Sequence, residues 1–137
     1  MKITIEHEGK TLYGTIATVS STKLYWEDHG ILTASLILEW QNGGVSFGGY
    51  CLDEPRDREG RDYSRVGTAY GLDHIMRIIE TVGVESWEKI KGAKIIGYFD
   101  RENALGSTLT AIGGLDNGKV FDPKAHAELW RSKEGKA

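Results

Sequence analysis

Apolar and polar side chains alternate in two segments of the first 50 residues, over residues 2–8 and 31–40, which is the period of strands that bury one face. The alternation is clearest over residues 31–40, where every second side chain is apolar. Asn42, Gly43 and Gly44 tolerate positive φ angles, so residues 31–41 and 45–51 are expected to form a hairpin. The pattern predicts extended segments over residues 2–8, 12–20, 24–26, 31–40, 45–51, 94–99, 109–112 and 119–121.

The period changes to three and four residues after Gly67, as expected for an amphipathic helix. We expect this helix to run from about Thr68 to Val82, with the Thr68 hydroxyl capping its first turn and Gly83 ending it. His74 lies on the polar face of this helix and is expected to be solvated. The apolar stripe that should pack on the sheet consists of Leu72, Ile75, Met76 and Ile79.

A short C-terminal helix is expected over residues 123–130, because Pro123 suits a first helical turn, and residues 131–137 are expected to fray. The predicted fold class is therefore α+β. A mainly antiparallel β-sheet, built from residues 3–51 and 94–121, carries one packed amphipathic helix and the short C-terminal one. The 137 residues are enough for a single domain over residues 1–137.

The composition and net charge of the chain exclude several classes of function. A net charge of −3 gives little attraction to a nucleic-acid backbone, so nucleic-acid binding is not expected. The single cysteine, Cys51, excludes an internal disulfide and fits a reducing cytosol. No apolar run reaches the roughly 20 residues that span a bilayer, and the charged start does not resemble a signal peptide. We therefore expect a cytoplasmic protein that has no membrane partner.

An arginine-rich loop before the predicted helix is the first candidate for chemistry. Arg65 is the arginine closest to the helix start, where the helix dipole and a guanidinium fork would act on the same anion. Gly67 and Thr68 would add backbone N–H groups and a hydroxyl. For Arg56 and two further loop arginines, Arg58 and Arg61, the interleaved acidic residues favour a solvated loop instead.

Two aromatic residues flank a glycine pair in the strand that precedes this loop. Phe47 and Tyr50 should lie on opposite faces, so one would enter the core while the other could stack on a nucleobase. A bulge with both rings in the core would explain the same residues.

The turn after Trp26 is the third candidate. Asp28 and His29 could form a general acid–base pair, although the commoner outcome is a turn in which Asp28 bonds its own backbone and His29 lies at the surface. Trp26 or His29 could instead contact a ligand. The four histidines are widely spaced and there is no cysteine pair, so no metal site is expected. No catalytic residue and no cofactor is assigned.

Several strings resemble a family of small bacteriophage proteins that act against the Thoeris defence of bacteria. They cover about two thirds of the chain and read KLYWEDHGILTASLILEW, SFGGYCLD, GTAYGLDHIMRIIETVGVESWEKIKG and a late IGGL followed by VFDPK. The resemblance implies a non-catalytic sponge in the host cytosol that sequesters cyclic ADP-ribose isomers. Some relatives also hold the cyclic oligonucleotides of the CBASS defence.

The same resemblance implies a homo-oligomer, a dimer or higher, whose pockets are shared between protomers. Arg65 would then grip phosphate, Phe47 or Tyr50 would cover the base, and the partner chain would close the pocket. The closing residues would be Asp28 and His29, or the loop near Leu115 and Asn117. The acidic loop over residues 53–62 departs from the family pattern, which leaves open which loop arginine faces the ligand. The segment after IGGL also departs from it, so ligand specificity could differ. The alternative is a small phage hydrolase or phosphodiesterase that uses Asp28 and His29.

Overall fold

The computed structural model describes residues 3–27, 30–57, 59, 64–102 and 107–134. It confirms the α+β class with a mainly antiparallel sheet. A 3₁₀ turn at Trp87–Lys89 follows the first helix. The strands and helices are β1 (Ile3–His7), β2 (Lys10–Trp26), β3 (Leu32–Trp40), β4 (Gly43–Gly48), β5 (Asp53–Pro55), β6 (Arg65–Gly67), α1 (Ala69–Val82), β7 (Lys94–Phe99), β8 (Leu109–Gly113), β9 (Val120–Phe121) and α2 (Pro123–Glu134).

Seven strands form one sheet in the order β4-β3-β2-β7-β8-β9, and β1 pairs with the start of β2. The long strand β2 contacts different neighbours along its length, because it pairs with β7 up to Thr18 and with β3 from Thr18 to Trp26. The two extended segments expected there form one continuous strand, which carries a β-bulge or similar irregularity between Val19 and Ser21. Strands β5 and β6 form a separate two-stranded ribbon that the sequence pattern did not predict.

The hairpin of β3 and β4 is confirmed, but its turn does not use positive φ angles. Trp40 pairs with Gly43, so the turn consists of Gln41 and Asn42. Among the described residues, Glu8 is the non-glycine residue with a positive φ angle, and Gly43 is not among the glycines that have one. Gly43 serves packing instead, since a Cβ there would lie 3.0 Å from the Trp40 ring.

Helix α1 packs on the sheet through a different face from the one that the sequence pattern indicated. Leu72 and Met76 are 63% and 49% exposed, whereas the helix buries Gly71, His74, Ile78, Thr81 and Val82. The expected apolar stripe and the expected solvation of His74 were therefore wrong. Ile75 and Ile79, which were part of that stripe, are partly buried at the boundary between the two faces.

The physical reason is the close approach that Gly71 allows. A Cβ at this position would collide with the carbonyl oxygen of Leu52 and lie 2.8 Å from its carbonyl carbon. The glycine side of α1 therefore fits directly against the chain before β5, and His74, one turn further on, follows it into the interior. Burying Leu72 and Met76 instead would rotate Gly71 away from this contact.

The predicted ends of α1 are confirmed. The Thr68 hydroxyl accepts a hydrogen bond from the Gly71 amide at 2.8 Å, and Gly83 ends the helix with a φ angle of 85°. Helix α2 is longer than expected and continues to Glu134, with Asp122 accepting bonds from the amides of Lys124 and Ala125 at its start. No helix in the described part of the chain is both long and apolar enough to cross a membrane.

Candidate ligand-binding site

A cavity of about 300 Å³ lies between the first turn of α1, one side of α2 and the segment that follows β4. Its wall combines three large aromatic rings, one guanidinium, two carboxylates and a hydroxyl. The lining residues are Tyr50, Cys51, Asp53, Glu54, Thr68, Tyr70, Ala127, Trp130 and Arg131.

Local chain geometry places these side chains. On α2, Ala127, Trp130 and Arg131 stand three and four residues apart and so share one helix face. Tyr70 lies in the first turn of α1. Tyr50 follows Gly48 and Gly49, whose φ angles of 149° and 95° turn the chain out of the sheet. Tyr50 also borders two further cavities, of about 430 and 120 Å³.

Behind the cavity wall lies a cluster of aromatic and imidazole rings centred on His74. The His74 ring lies 5.6 Å from the Tyr50 ring, 6.0 Å from the Tyr70 ring and 5.1 Å from the Phe121 ring, between centroids. Neither ring nitrogen of His74 hydrogen bonds to a described residue, and the side chain is 1% exposed. Burial, reinforced by the neighbouring His126, lowers the pKa of His74 to about 4, so the ring is neutral at physiological pH.

The two tyrosines that face the cavity are hydrogen-bond donors at neutral pH. Burial raises the pKa of Tyr50, and the charge of Asp122 raises it further. Burial is also the main cause that raises the pKa of Tyr70. Both phenols therefore keep their protons and present an apolar ring that carries a polar tip.

Arg65 forms a two-pronged ion pair with Asp53. Its Nε donates to Asp53 Oδ2 and its Nη2 to Asp53 Oδ1, both at 3.0 Å. The Asp53 side chain is 1% exposed and also accepts a bond from the Leu32 amide at 3.1 Å. The hydrogen bond from Arg65 is the main cause that lowers the pKa of Asp53. Arg65 thus has a role in the fold as a counter-ion, and its contact with a phosphate remains a prediction.

Replacing Arg65 with alanine is expected to destabilise the protein, because the buried carboxylate of Asp53 loses its counter-ion. The loss should exceed that of Arg101→Ala, which removes the same charge from an exposed position. Chemical denaturation of both variants measures it. Repeating Arg65→Ala in an Asp53→Asn background should give a smaller loss, and equal losses in the two backgrounds would show that the pair is not coupled.

The other predicted site residues are distributed over the fold. Thr68 lines the cavity, and its hydroxyl, besides capping α1, donates to the Leu52 carbonyl at 2.9 Å. Gly67 is exposed in β6. Of the two aromatics, Phe47 is the one in the core, 5% exposed and edge-on to Phe121. Tyr50 is therefore the one that can cover a base.

Three predicted residues stand apart from this cavity within one chain. Trp26 is 58% exposed at the end of β2. Leu115 is exposed, and Asn117 donates to the Thr81 carbonyl at 3.1 Å, at the C-terminal end of α1. That end is about 20 Å from Thr68, the length of a 14-residue helix. Asp28 and His29 lie outside the described residues, as do Arg58 and Arg61, so their assignments stay predictions.

Sequence reasoning missed Tyr70, Trp130 and Arg131. Tyr70 and Trp130 lie in helices that the sequence pattern predicted, and Arg131 lies just beyond the predicted end of the second helix. The spacing of Trp130 and Arg131 relative to Ala127 was available as a signal, but a shared helix face does not reveal what it faces. The cavity exists only because α2 lies beside the first turn of α1.

A second group of side chains could hold a divalent cation. A ring nitrogen of His7, a carboxylate oxygen of Glu8 and a carboxylate oxygen of Asp122 all lie within 4.8 Å of one another, beside the cavity of about 430 Å³. His7 Nε2 and Asp122 Oδ2 are 2.9 Å apart and form a hydrogen-bonded pair. Lys10 and Lys124 line the same cavity and oppose a cation there. Asp122 is 115 positions from His7 along the chain, so spacing alone could not reveal the group.

The chain matches no protein-family model, no curated protein and no solved structure. The fold and the site together define a small α+β protein that carries an aromatic, partly charged cavity between two helices. The resemblance to the Thoeris anti-defence family remains a prediction. A proposal for the function has to come from the chemistry of the cavity.

Proposed function

We propose that this protein binds a cyclic nucleotide-type immune signal without cleaving it, and so inhibits an anti-phage defence. A cyclic ADP-ribose isomer is the first candidate ligand, and cyclic oligonucleotides are the second. The observation that carries the proposal is the composition of the cavity, which joins the Tyr50, Tyr70 and Trp130 rings to the Arg131 guanidinium.

Each part of a nucleotide has a matching group in this cavity. The aromatic rings offer faces on which a base can stack, a contact that contributes about 1–3 kcal/mol per base. Arg131 offers a fork for phosphate oxygens. Glu54, which is exposed, offers carboxylate oxygens that accept bonds from ribose hydroxyls or an exocyclic amine.

Titration properties favour binding over catalysis at this site. A general base works best when its pKa lies near the operating pH, whereas the ion pair with Arg65 keeps the pKa of Asp53 below its ordinary value. The two phenols have raised pKa values, so they stay protonated at neutral pH and cannot accept a proton as a general base. Cys51, the thiol on the wall, has no histidine among the lining residues to activate it. The hydrolase alternative requires Asp28 and His29.

The proposal includes a homo-oligomer in the host cytosol. A volume of about 300 Å³ is at the lower end of the range for ligand cavities, so a dinucleotide-sized signal would extend beyond it. A partner chain that covers the opening would enclose the rest of the ligand. Asp28 and His29 of such a partner, or its loop near Leu115 and Asn117, are the predicted closing residues.

The direct test is to load the purified protein with cyclic ADP-ribose isomers or cyclic dinucleotides and then remove the free ligand. The protein is denatured by heat, and the mass of the released molecule is measured by mass spectrometry. Release of the unchanged ligand is the expected result. A product of altered mass would assign an enzyme instead. If no nucleotide is retained at any concentration, the proposed function is wrong.

Trp130→Ala is expected to weaken ligand binding by roughly five- to a hundredfold, because it removes a stacking face. Arg131→Ala should weaken it by roughly ten- to a hundredfold through the lost charge-assisted bonds. Isothermal titration calorimetry on both variants measures the loss. Arg101→Ala is the matched control, since it removes the same charge from an exposed position that does not line the cavity. Equal losses at Arg131 and Arg101 would remove Arg131 from the site.

A further inference from the structure

Among the residues that the structure describes, the last part of strand β2 has a neighbouring strand on one side only. Strand β7 ends at Lys94, which pairs with Thr18, whereas β2 continues to Trp26. Beyond Ser21 the strand pairs with β3, and no described strand lies along its other edge. An open strand edge of this kind is a template for pairing with another chain.

The hydrogen bonds around Leu32 show which backbone groups point to this open edge. The Leu32 amide donates to Asp53 and its carbonyl accepts from the Leu52 amide, so neither bonds to Trp26, its partner in β2. In an antiparallel pair, hydrogen-bonded and non-hydrogen-bonded positions alternate. Thr22, Leu24 and Trp26 therefore direct their N–H and C=O groups outward, where no described residue bonds to them.

The side chains at this edge are unusually apolar for an open strand. Leu24, Tyr25 and Trp26 are 44%, 40% and 58% exposed. Natural proteins usually protect such edges with charges, prolines or bulges. Here the charge within residues 22–26 is Lys23, whose ammonium lies 5.5 Å from the centre of the Tyr25 ring.

We propose that the open edge of β2 over residues 22–26 pairs antiparallel with the same edge of a second copy of this chain. The two-fold axis passes beside Leu24, which faces its own counterpart. Thr22 faces Trp26 of the other protomer, and Lys23 faces Tyr25. The two sheets then become one continuous sheet across the dimer.

Of the registers compared at this edge, the one centred on Leu24 fits best. It uses all three outward-facing residues, and each facing pair exchanges two backbone hydrogen bonds. Centring the pairing on Thr22 would extend it to Thr18, where β7 already occupies the edge. Centring it on Lys23 would place like charges opposite each other, whereas centring it on Leu24 sets Lys23 against an aromatic ring. The edge is therefore complementary to itself, which is what a two-fold interface requires.

The interface does not depend on the proposed function, because it involves β2 and none of the residues that line the ligand cavity. Sedimentation velocity over a range of protein concentrations tests it without ligand. The wild-type chain should be a dimer. Leu24→Lys should raise the dimer dissociation constant about tenfold or more, since two ammonium groups would face each other at the axis. Ile16→Lys is the matched control, because Ile16 lies in the same strand, is 47% exposed and stands where β7 already pairs.

Mixing two variants separates a loss of pairing from damage to the fold. Leu24→Lys and Leu24→Asp should each dimerise weakly alone and form a heterodimer together, since opposite charges then meet at the axis. A monomeric wild type, an equal effect of Leu24→Lys and Ile16→Lys, or a mixture that does not associate would each overturn the proposal. Nucleotide binding by the monomeric variant would still leave the cavity assignment in place.

Discussion

Gly71→Ala is expected to destabilise the protein by about 2–3 kcal/mol, the upper part of the range for overpacked cores. Helix propensity alone gives the opposite sign, since alanine is favoured over glycine inside a helix by about 1 kcal/mol. The structure reverses this preference, because the added methyl group would overlap the backbone of Leu52. Backbone atoms cannot move aside as a flexible side chain can. Equilibrium denaturation in urea gives the free energy of unfolding.

Gly67→Ala is the matched control for this substitution. Gly67 is four residues earlier, its φ angle is not in the left-handed region, and nothing lies within 4 Å of a Cβ added there. Its stability should change by less than about 0.5 kcal/mol, as at other surface positions. An increase in stability for Gly71→Ala would mean that α1 does not contact the segment before β5 in the way described.

The stability of the protein is expected to fall by about 3 kcal/mol as the pH decreases from about 6.5 to about 4, because of His74. The unfolded chain binds this proton with the ordinary histidine pKa of 6.5, whereas the folded chain binds it only near a pKa of about 4. Above 6.5 both states are neutral and the stability is complete. As the pH falls, protonation favours the unfolded state. Denaturation curves recorded at successive pH values measure this slope.

His74→Phe should remove the slope in that pH window. The variant should be at least as stable as the wild type at neutral pH, because neither imidazole nitrogen has a hydrogen-bond partner among the described residues. Asp53 and Asp73 have pKa values lowered from 3.8, so their contributions are lost only at more acidic pH and stay separate from this window. A variant that keeps the full slope between pH 6.5 and 4 would assign the effect to another group.

The elements of the fold could be predicted because their signals are local. Alternating side chains identified β1 and β3, and Thr68 and Gly83 identified the two ends of α1. The buried face of α1 could not be predicted in the same way. The buried face includes His74 and Thr81, so hydrophobicity does not identify it, and Gly71 selects it only through its contact with Leu52, a residue 19 positions away.

The candidate site was predicted in part for the same reason. Tyr50 and Thr68 were identified because glycine-spaced aromatics and helix caps are visible in the sequence. Arg65 was identified as a phosphate contact from its position next to the predicted helix. The sequence did not reveal that the buried Asp53 pairs with it across the β5–β6 ribbon. Tyr70 and Arg131 meet at the cavity only after α2 has docked beside α1. Tertiary contacts of this kind have no periodic signal.

Tyr50 borders all three cavities, so its side chain is a dividing wall between them. It also covers the buried ring of His74. A substitution at position 50 therefore changes the shape of three spaces and the environment of one titrating group at the same time. Experiments that aim to alter one cavity alone have to start from residues that line only that cavity: Trp130 for the cavity between the helices, Lys10 for the one beside His7, and Ser46 for the smallest.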